Sequence, residues 1–363
     1  MGKKKIAVIF GGKSSEHEVS LQSAAAVLEN VDTGRFEILP IGITREGVWY
    51  HYTGSYRKVA EGTWEKEREN LTEVTISLNP STGGFLAFSE KGVKVLETDL
   101  AFPVLHGKNG EDGTVQGLFE LAGIPVIGCG VLSSALCMDK DRAHKLVSLA
   151  GIRTPKSIVF WSCEKEKAWK EIRENLAFPL FVKPLRAGSS FGITKVTGEP
   201  ELTEAIALAF THDSQVIVEE AVAGFEVGCA VMGTESGCGK SGKRFMTGRV
   251  DEIELSKGFF DYTEKYTLKS SRIHMPARID SETERRIQEA ALIIYRALGC
   301  SGFARVDMFL TPDKEIVFNE VNTIPGFTAH SRYPNMMKGI GLSFGEMLDK
   351  LIGLYLDGGE TEN

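Results

Sequence analysis

One stretch near the C-terminus decides the fold of this chain: residues 303–322, which read FARVDMFLTPDKEIVFNEVN. Two apolar runs, 303–310 and 315–321, flank the connection 311–314, whose Pro and Asp are strong turn formers. Apolar runs on either side of a short turn are typical of two antiparallel strands. The stretch therefore predicts a β-hairpin.

The polar residues of this hairpin are expected on one of its faces. If the turn is centred on Asp313-Lys314, Asp307 lies opposite Glu320 and Arg305 lies opposite Asn322. Side chains alternate between the faces of a strand with period two, so all four groups emerge on the same side. Two carboxylates, an amide oxygen and a guanidinium then share one small volume. A few hard oxygen ligands of this kind suit Mg²⁺ that arrives with a polyphosphate better than a cage built by protein alone.

A pair of solvated salt bridges on an exposed sheet face is the alternative interpretation of these four residues. The interleaved Val306, Met308 and Val321 argue against it, because they pack only on the opposite face. The polar side chains are then left without a packing reason. We therefore expect them to have a functional one.

Bulk properties narrow the class of protein. The chain has 363 residues, more than one hydrophobic core usually serves, so two or three domains are expected. Its net charge is −7 and its Lys and Arg residues are dispersed, which argues against nucleic acid as the main partner. The six cysteines lack metal-ligand spacing and predict reduced thiols in a cytoplasmic protein. No segment approaches the roughly 20 apolar residues of a membrane helix. An enzyme acting on small molecules fits best.

Two glycine-rich loops follow apolar strands in the N-terminal third. Residues 6–10 are typical of a buried parallel strand, which ends at the corner 11–15 before a helical pattern over 16–28. A second apolar run, 100–105, leads to the polar and glycine-rich residues 106–113. Ligands of open α/β sheets bind beyond such strand ends. The corner lacks GxGxxG, so it gives little support to a nicotinamide-dependent oxidoreductase.

Two further loops lie in the rest of the chain. Residues 183–192, rich in Gly and Ser, stand between apolar strands at 180–182 and 216–218. Such a loop can cradle a phosphate, although a plain solvent turn is the preferred interpretation of the loop taken alone. The insert 234–244 imitates a Walker A motif but has Thr234 where that motif needs glycine. We interpret the insert as an exposed hairpin tip.

Six stretches, taken together and in order, resemble the ATP-grasp enzymes of the D-alanine:D-alanine ligase family. They are residues 11–20 (GGKSSEHEVS), 106–113 (HGKNGEDG), 138–140 (MDK), 188–192 (GSSFG), 259–266 (FFDYTEKY) and 319–326 (NEVNTIPG). The resemblance covers essentially the whole chain. It implies an α/β fold with an N-terminal Rossmann-like parallel-sheet domain at 1–128 and two α+β nucleotide-clamping ATP-grasp subdomains at 129–223 and 224–363.

The resemblance implies a reaction as well as a fold. In that family a D-alanine carboxylate attacks the γ-phosphate of ATP, and the amine of a second substrate captures the resulting acyl phosphate. By position, Asp307, Glu320 and Asn322 would bind two Mg²⁺ ions, with Mn²⁺ as an alternative, and Arg305 would neutralise the tetrahedral oxyanion. This assignment agrees with the hairpin geometry reached from the residues alone.

The resemblance also assigns an ATP site. Lys140 and Lys183 would reach the phosphates of the nucleotide. The adenosine pocket would be lined by Glu219, Glu220, Ala221, Val222 and Glu226.

The first D-alanine would be held by the N-terminal domain together with a closing loop. Its ammonium group would pair with Glu16, beside Ser189 and Tyr266, while Lys265 would contact the acyl phosphate. Lys265 and Tyr266 belong to the loop 258–271. We expect this loop to close over the site, because water would otherwise hydrolyse the acyl phosphate.

The second subsite departs from the pattern of the D-alanine-specific enzymes. Ser331-Arg332 stands where those enzymes usually have Ser-Leu, and Phe260 replaces a frequent Tyr. A buried guanidinium needs an acidic neighbour, for which Asp251 is a candidate, and an acceptor on the ligand, for which a D-serine hydroxyl is a candidate. With His106, these residues form the expected substrate-binding set. The pattern is similar to the VanG-type D-alanine:D-serine ligases, whose products give peptidoglycan precursors with reduced vancomycin binding.

Other interpretations stay open at this point. D-Alanine ranks second, after D-serine, as the second substrate. D-Lactate ranks third, because the loop keeps Lys265 and Tyr266 in the pattern of the amine ligases. An ATP-grasp ligase for a different acid, a nucleotide-binding regulatory protein without turnover and a nicotinamide oxidoreductase are the remaining candidates. A homodimer is expected by analogy with the family.

Overall fold

The computed structural model of the chain describes residues 2–188, 191–235, 245–255 and 271–356. Four residues of the expected site lie outside these ranges, as does most of the insert: Ser189, Phe260, Lys265, Tyr266 and residues 236–244. No helix within the described ranges combines the length and the apolarity needed to cross a bilayer.

The strands of the described ranges form three sheets, and helices lie between them along the chain. The strands are β1 Lys4–Gly11, β2 Phe36–Ile43, β3 Trp49–Tyr52, β4 Leu71–Ile76, β5 Gly84–Ser89, β6 Gly92–Glu97, β7 Leu100–Pro103, β8 Ser157–Trp161, β9 Leu180–Pro184, β10 Thr194–Val196, β11 Gln215–Glu220, β12 Phe225–Gly233, β13 Phe245–Leu255, β14 Ser271–His274, β15 Gly302–Leu310 and β16 Ile316–Asn322. The helices are α1 His17–Asn30, α2 Tyr56–Ala60, α3 Thr114–Leu121, α4 Val131–Met138, α5 Lys140–Leu149, α6 Lys165–Asn175, α7 Glu199–Phe210, α8 Ser281–Ala297, α9 Arg332–Lys338 and α10 Phe344–Leu356.

The N-terminal sheet is mixed rather than parallel throughout. Its strand order is β6-β5-β4-β3-β2-β1-β7. Strand β1 pairs in parallel with β2 and β7, and residues 6–10 at its centre are completely buried, which is why that run is continuously apolar. Strands β3 to β6 are antiparallel. A connection as short as Glu90-Lys91, between β5 and β6, permits only antiparallel pairing.

The two glycine-rich N-terminal loops meet at one edge of this sheet. They follow β1 and β7, which are parallel neighbours, so their carboxyl ends lie side by side. The hydroxyl of Ser14 in the first loop donates a hydrogen bond to the carbonyl of His106 in the second (2.9 Å). The prediction that both loops lie at strand ends is confirmed.

The second sheet is antiparallel and has the order β10-β9-β11-β8. Helices α6 and α7 cover one of its faces and bury Ile172 and Ile206 against Val182 and Val218 of the central strands. The Gly- and Ser-rich connection leaves β9 directly after Lys183 and Pro184. This places a polar loop at the end of a rigid strand.

The third sheet, also antiparallel, has the order β14-β13-β12-β15-β16. One face is covered by α8, whose Ile287 and Ile294 pack with Val306, Met308 and Val321 of the predicted hairpin. These three apolar residues of the hairpin therefore pack on a single face, as the alternation predicts. The opposite face carries the polar residues and, at the start of the hairpin, Phe303.

The hairpin of β15 and β16 has the expected polar register but a different turn. Asp307 faces Glu320 and Arg305 faces Asn322, yet Met308 faces Phe318, so Asn319 is an extra residue in a β-bulge. The expectation of a turn centred on Asp313-Lys314 is wrong. Thr311 pairs with Glu315 around a three-residue loop whose last residue, Lys314, has a φ of 58°. The bulge shifts the register by one residue and restores the polar pairs.

An aromatic cluster joins the N-terminal sheet to the third sheet. Phe102 of β7 lies edge-on to Phe303 of β15 and to Phe327, with 5.9 Å between ring centroids in each pair. Phe303 also contacts Phe327 at 5.1 Å and Tyr333 of α9 at 5.8 Å. Aromatic pairs of this geometry stabilise a core beyond the area that they bury. The cluster fixes how the loops of the first sheet face the polar hairpin.

We predict that Phe303→Ala destabilises the protein by about 3 to 5 kcal/mol, because its ring is completely buried at this junction. The measurement is the urea concentration at the unfolding midpoint. Phe88→Ala is the matched control, because the Phe88 side chain is 44% exposed and its removal should cost less than about 1 kcal/mol. Similar losses in both variants would contradict the assigned junction.

Candidate active site

The predicted polar face of the hairpin is present and centres on Asp307. Its carboxylate accepts hydrogen bonds from Nε and Nη2 of Arg305 (2.8 and 2.7 Å) and from the amide nitrogen of Asn322 (2.8 Å). Asp307 is buried, and Glu320 lies beside Asn322 on the rim of a narrow cavity. The hairpin thus brings together the four residues expected to surround the metal and the oxyanion.

The donor set on this face fits a hard divalent cation. Asp307, Glu320 and Asn322 all offer oxygen, which is the ligand type that Mg²⁺ prefers. Within the described ranges, no three His, Cys, Asp or Glu side chains form a metal-binding cluster. Among the described residues, two carboxylates and an amide lie at this place, so phosphate oxygens would have to complete the coordination of an ion.

Arg332 is buried on the same face of the sheet and is held by several carboxylates. Its Nε and Nη2 atoms each lie 2.7 Å from an oxygen of Asp251, which makes a two-pronged ion pair. Its Nη1 donates to Glu226 (3.1 Å), and its Nη2 lies 3.3 Å from Asp307. Burial opposes the charge, but these carboxylates outweigh it and hold the pKa of Arg332 well above its usual value. The acidic neighbour expected for Arg332 is therefore Asp251.

Glu226 is a further partner of Arg332. The resemblance predicts this residue at the adenosine pocket, which stays a prediction, and the structure brings its carboxylate to Arg332. No local pattern connects two residues that are 106 positions apart. Ser331, which precedes Arg332, occupies the N-cap position of α9 without a capping hydrogen bond from its side chain. Its hydroxyl instead accepts a hydrogen bond from the backbone N–H of Thr328 (3.0 Å).

A second set of charges lies where β9 and β11 run side by side. Lys183 forms an ion pair with the buried Glu219 (2.5 Å), and His144 lies 3.8 Å from the same carboxylate. Burial alone would raise the pKa of Glu219, but Lys183 and His144 keep it below its usual value. The Lys140 ammonium donates to the carbonyl of Ala187 in the following loop (2.8 Å). Two lysines expected near phosphate are thus held at the base of one loop.

The backbone at the end of β11 is tied to the segment before β9. A carboxylate oxygen of Glu220 accepts a hydrogen bond from the N–H of Ala177 (2.8 Å), and the N–H of Ala221 donates to the carbonyl of Pro179 (3.0 Å). Val222 follows directly. The predicted adenosine-binding stretch therefore connects the second and third sheets and is held in place by these two hydrogen bonds.

Two neighbouring acids, the buried Glu16 and the half-buried Glu111, follow the parallel strands β1 and β7. Glu111 accepts hydrogen bonds from the N–H groups of Gly107 (2.8 Å) and Ile324 (3.2 Å), and it shares a small cavity with Glu16 and Glu320. Burial, together with the Glu16 carboxylate, raises the pKa of Glu111 to about 8. An ammonium ligand beside these two carboxyl groups would favour their ionised forms.

No role for Glu111 was predicted from the sequence, although the loop 106–113 that contains it was expected at the site. The signal was available: an acidic residue in a glycine-rich loop directly beyond a buried strand.

Gly107 and Gly188 leave room for Glu16, because a Cβ atom at either position would meet the carboxylate of Glu16 at 3.0 Å or less. The carboxylate of Glu16 can therefore lie against the backbone of both glycines.

His106 links three elements through both of its ring nitrogens. Nδ1 donates to the carbonyl of Ile324 (2.8 Å), and Nε2 lies 3.1 Å from the hydroxyl of Ser23 on α1. The hydroxyl of Ser23 in turn accepts a hydrogen bond from the N–H of Phe327 (3.2 Å). Burial lowers the pKa of His106 to about 4, so the ring is neutral at pH 7. His106 therefore positions the loop and the 323–327 segment through a network that needs a neutral imidazole.

Comparison with known families gives two matches that together span most of the chain. Residues 5–129 match the family described as D-ala D-ala ligase N-terminus, and residues 146–353 match the family described as D-ala D-ala ligase C-terminus. The chain belongs to the D-alanine:D-alanine ligase family, and it is therefore an ATP-dependent ligase of the ATP-grasp fold.

Individual relatives refine this picture. The crystal structure of the VanG D-Ala:D-Ser ligase from Enterococcus faecalis is similar at 68% identity and a TM-score of 0.91, covering 98% of this chain and 100% of that one. The vancomycin C-type resistance protein VanC1 of Enterococcus gallinarum is 43% identical over 97% of this chain and 98% of its own length. A D-alanine–D-alanine ligase of Caldicellulosiruptor bescii is 40% identical, over 98% and 96% respectively.

A pH-dependent loss of stability is predicted from His106. Its pKa is about 4 in the folded protein and about 6.5 in an unfolded chain, so between these values only the unfolded state takes up a proton. Folding stability should fall by about 3 kcal/mol from this group as the pH drops from 6.5 to 4. His106→Asn keeps a donor for Ile324 and removes the titration. Urea denaturation should show the stability gap between wild type and variant narrowing over this pH range, and a constant gap would contradict the prediction.

Proposed function

We propose that this enzyme ligates D-alanine to D-serine at the expense of ATP, and that the product enters peptidoglycan precursors with reduced vancomycin binding. The observation that carries the proposal is the buried guanidinium of Arg332, paired with Asp251 at the expected second subsite. The relative titled as a D-Ala:D-Ser ligase, at 68% identity, supports the same assignment. We further propose a cytoplasmic homodimer, by analogy with the family.

The first step activates the D-alanine carboxylate. Its oxygen attacks the γ-phosphorus of ATP, the bond from that phosphorus to the bridging oxygen breaks, and ADP leaves with the electron pair. We assign the ammonium of D-alanine to Glu16, with Ser189 and Tyr266 beside it, and the phosphates to Lys140 and Lys183. When bound, two Mg²⁺ ions would neutralise phosphate charge, and Asp307, Glu320 and Asn322 are the residues that would hold them.

The second step forms the amide bond. The D-serine nitrogen attacks the acyl carbon, the tetrahedral oxyanion collapses, and inorganic phosphate leaves with its electron pair while the nitrogen loses a proton. Arg305 is assigned to the oxyanion, because its charge is already held on this face by Asp307. Lys265, in the loop that we propose closes over the site, is assigned to the acyl phosphate.

Discrimination for D-serine is assigned to Arg332. A guanidinium carries five N–H groups. Within the described residues, hydrogen bonds to Asp251 and Glu226 use three of them, and Nη2 lies 3.3 Å from Asp307. The second N–H of Nη1 can donate to a hydroxyl. A methyl side chain offers no acceptor, so D-alanine would leave that donor unsatisfied.

A D-alanine:D-alanine ligase is the second candidate function. The Caldicellulosiruptor relative, titled as a D-alanine–D-alanine ligase and 40% identical over nearly the whole chain, favours it. D-Lactate ranks third as second substrate, because Lys265 and Tyr266 keep the pattern of amine ligases. Phosphate release with each co-substrate at a fixed D-alanine concentration separates the three.

We predict a higher kcat/KM for D-serine than for D-alanine as second substrate. Arg332→Leu should reduce kcat/KM more for D-serine than for D-alanine, by about 1 to 3 kcal/mol, because the hydroxyl loses its partner. Arg278→Leu is the matched control: its guanidinium pairs with Glu252 and Glu254 on the surface of the same sheet. Equal losses for both amino acids on Arg332→Leu would remove Arg332 from the specificity assignment.

We also predict that Glu320→Gln lowers turnover and weakens divalent-cation binding by at least about tenfold, since an amide replaces a charged oxygen ligand. Mn²⁺ binding in the presence of ADP, followed by electron paramagnetic resonance, measures the second effect without turnover. Glu315→Gln is the control, because Glu315 lies on the same hairpin and pairs with Arg153 at the surface. Unchanged Mn²⁺ affinity in Glu320→Gln would contradict the metal assignment.

A further inference from the structure

Gly228 lies at the centre of the third sheet, directly beneath the guanidinium of Arg332. In register it faces Asp251 of β13 on one side and Asp307 of β15 on the other. Its N–H donates to Asp251 (3.0 Å). The three positions form a row across the sheet in which the middle residue has no side chain.

The missing side chain is what makes room for Arg332. A Cβ atom at residue 228 would lie closer than 3.0 Å to Nη2 of Arg332, and 2.8 and 2.9 Å from carboxylate oxygens of Asp251 and Asp307. Real Cβ atoms essentially never come closer than 3.0 Å to such neighbours. Arg332 cannot simply swing away, because three carboxylates hold it. A side chain at residue 228 must therefore displace the charged network.

The backbone at this position does not itself require glycine. Gly228 has no left-handed φ value, and it sits in a regular part of β12 that pairs with both neighbouring strands. Alanine is therefore compatible with the strand, and the conflict is one of space alone. This separates Gly228 from glycines such as Gly224 (φ +130°), at the start of the same strand, where a side chain would strain the backbone.

We propose that Gly228 is a specificity-positioning residue: the gap that it leaves seats Arg332 between Asp251 and Asp307, at the depth from which Nη1 reaches the second substrate. This inference rests on the proposed D-serine specificity. The seat also joins the second subsite to an expected metal ligand through one guanidinium, since Nη2 lies 2.7 Å from Asp251 and 3.3 Å from Asp307. An alanine at residue 228 would raise Arg332 out of this seat while leaving its charge in the protein.

A double-mutant cycle of Gly228→Ala and Arg332→Leu tests the proposal. The measured quantity is the ratio of kcat/KM for D-serine to that for D-alanine. Gly228→Ala should lower this ratio about tenfold in the wild-type background and change it less than about twofold in the Arg332→Leu background, where no guanidinium remains to be displaced. Gly42→Ala is the matched control, because its Cβ would meet the ring of Trp64 in the N-terminal core, far from any guanidinium. It should cost stability and leave the ratio unchanged.

The outcomes distinguish this inference from the proposed function. If Arg332→Leu leaves the ratio unchanged, the D-serine assignment fails. If Arg332→Leu lowers it but Gly228→Ala does not, or if Gly228→Ala lowers it equally in both backgrounds, the assignment of Gly228 is overturned.

A stability measurement keeps the test decisive if Gly228→Ala folds poorly. Arg332→Lys removes Nη2, the atom that the new Cβ would meet, and retains the charge. Gly228→Ala should therefore lower the urea unfolding midpoint by no more than half as much in the Arg332→Lys background as in the wild-type background. Equal shifts in both backgrounds would show that the conflict does not involve Nη2, and the proposal would fall.

Discussion

Two guanidinium groups share one buried carboxylate at the centre of the third sheet, and the arrangement of the site depends on that sharing. Asp307 accepts from Arg305 and also lies beside Arg332, which Asp251 and Glu226 hold from the other side. Buried charges of this kind are stable only as a set, because removing one partner leaves an uncompensated charge that costs about 3 to 5 kcal/mol. The three carboxylates outnumber the two guanidiniums by one. This face of the sheet therefore has a net attraction for a cation.

Glycine is the means by which these charges come close to the backbone. Gly228 leaves room for Arg332, and Gly107 and Gly188 leave room for the carboxylate of Glu16. The two amino acids are thus assigned to places where a strand or a loop lacks a side chain. The burial of so many charged groups strengthens the electrostatic contacts between them. Its rigidity comes from the three sheets and from the aromatic cluster around Phe303.

The hairpin illustrates how a sequence pattern can be right about a face and wrong about a turn. Counting residues across the turn predicted the pairs Asp307 with Glu320 and Arg305 with Asn322, and both pairs are present. The pairing nearer the turn is shifted by one residue, and Asn319 makes up the difference in a bulge. The alternation of apolar residues constrains the face strongly, because a slip by one residue would expose the whole apolar set. That pattern does not reveal that the turn is one residue longer than expected, nor that a bulge compensates for the extra residue.

The sequence by itself determined the local elements and the chemistry that they carry: buried strands from continuous apolar runs, loops from glycines, and an oxygen-rich hairpin face from its alternation. It also contained the signal for Glu111, an acid in a glycine-rich loop beyond a buried strand, to which the structure adds two N–H donors. Only the tertiary structure decided that Glu226 joins Asp251 and Asp307 around Arg332. Asp251 and Glu226 lie 81 and 106 positions before Arg332 in the sequence. Their contact with Arg332 is therefore set by the packing of α9 on the sheet and not by any local period.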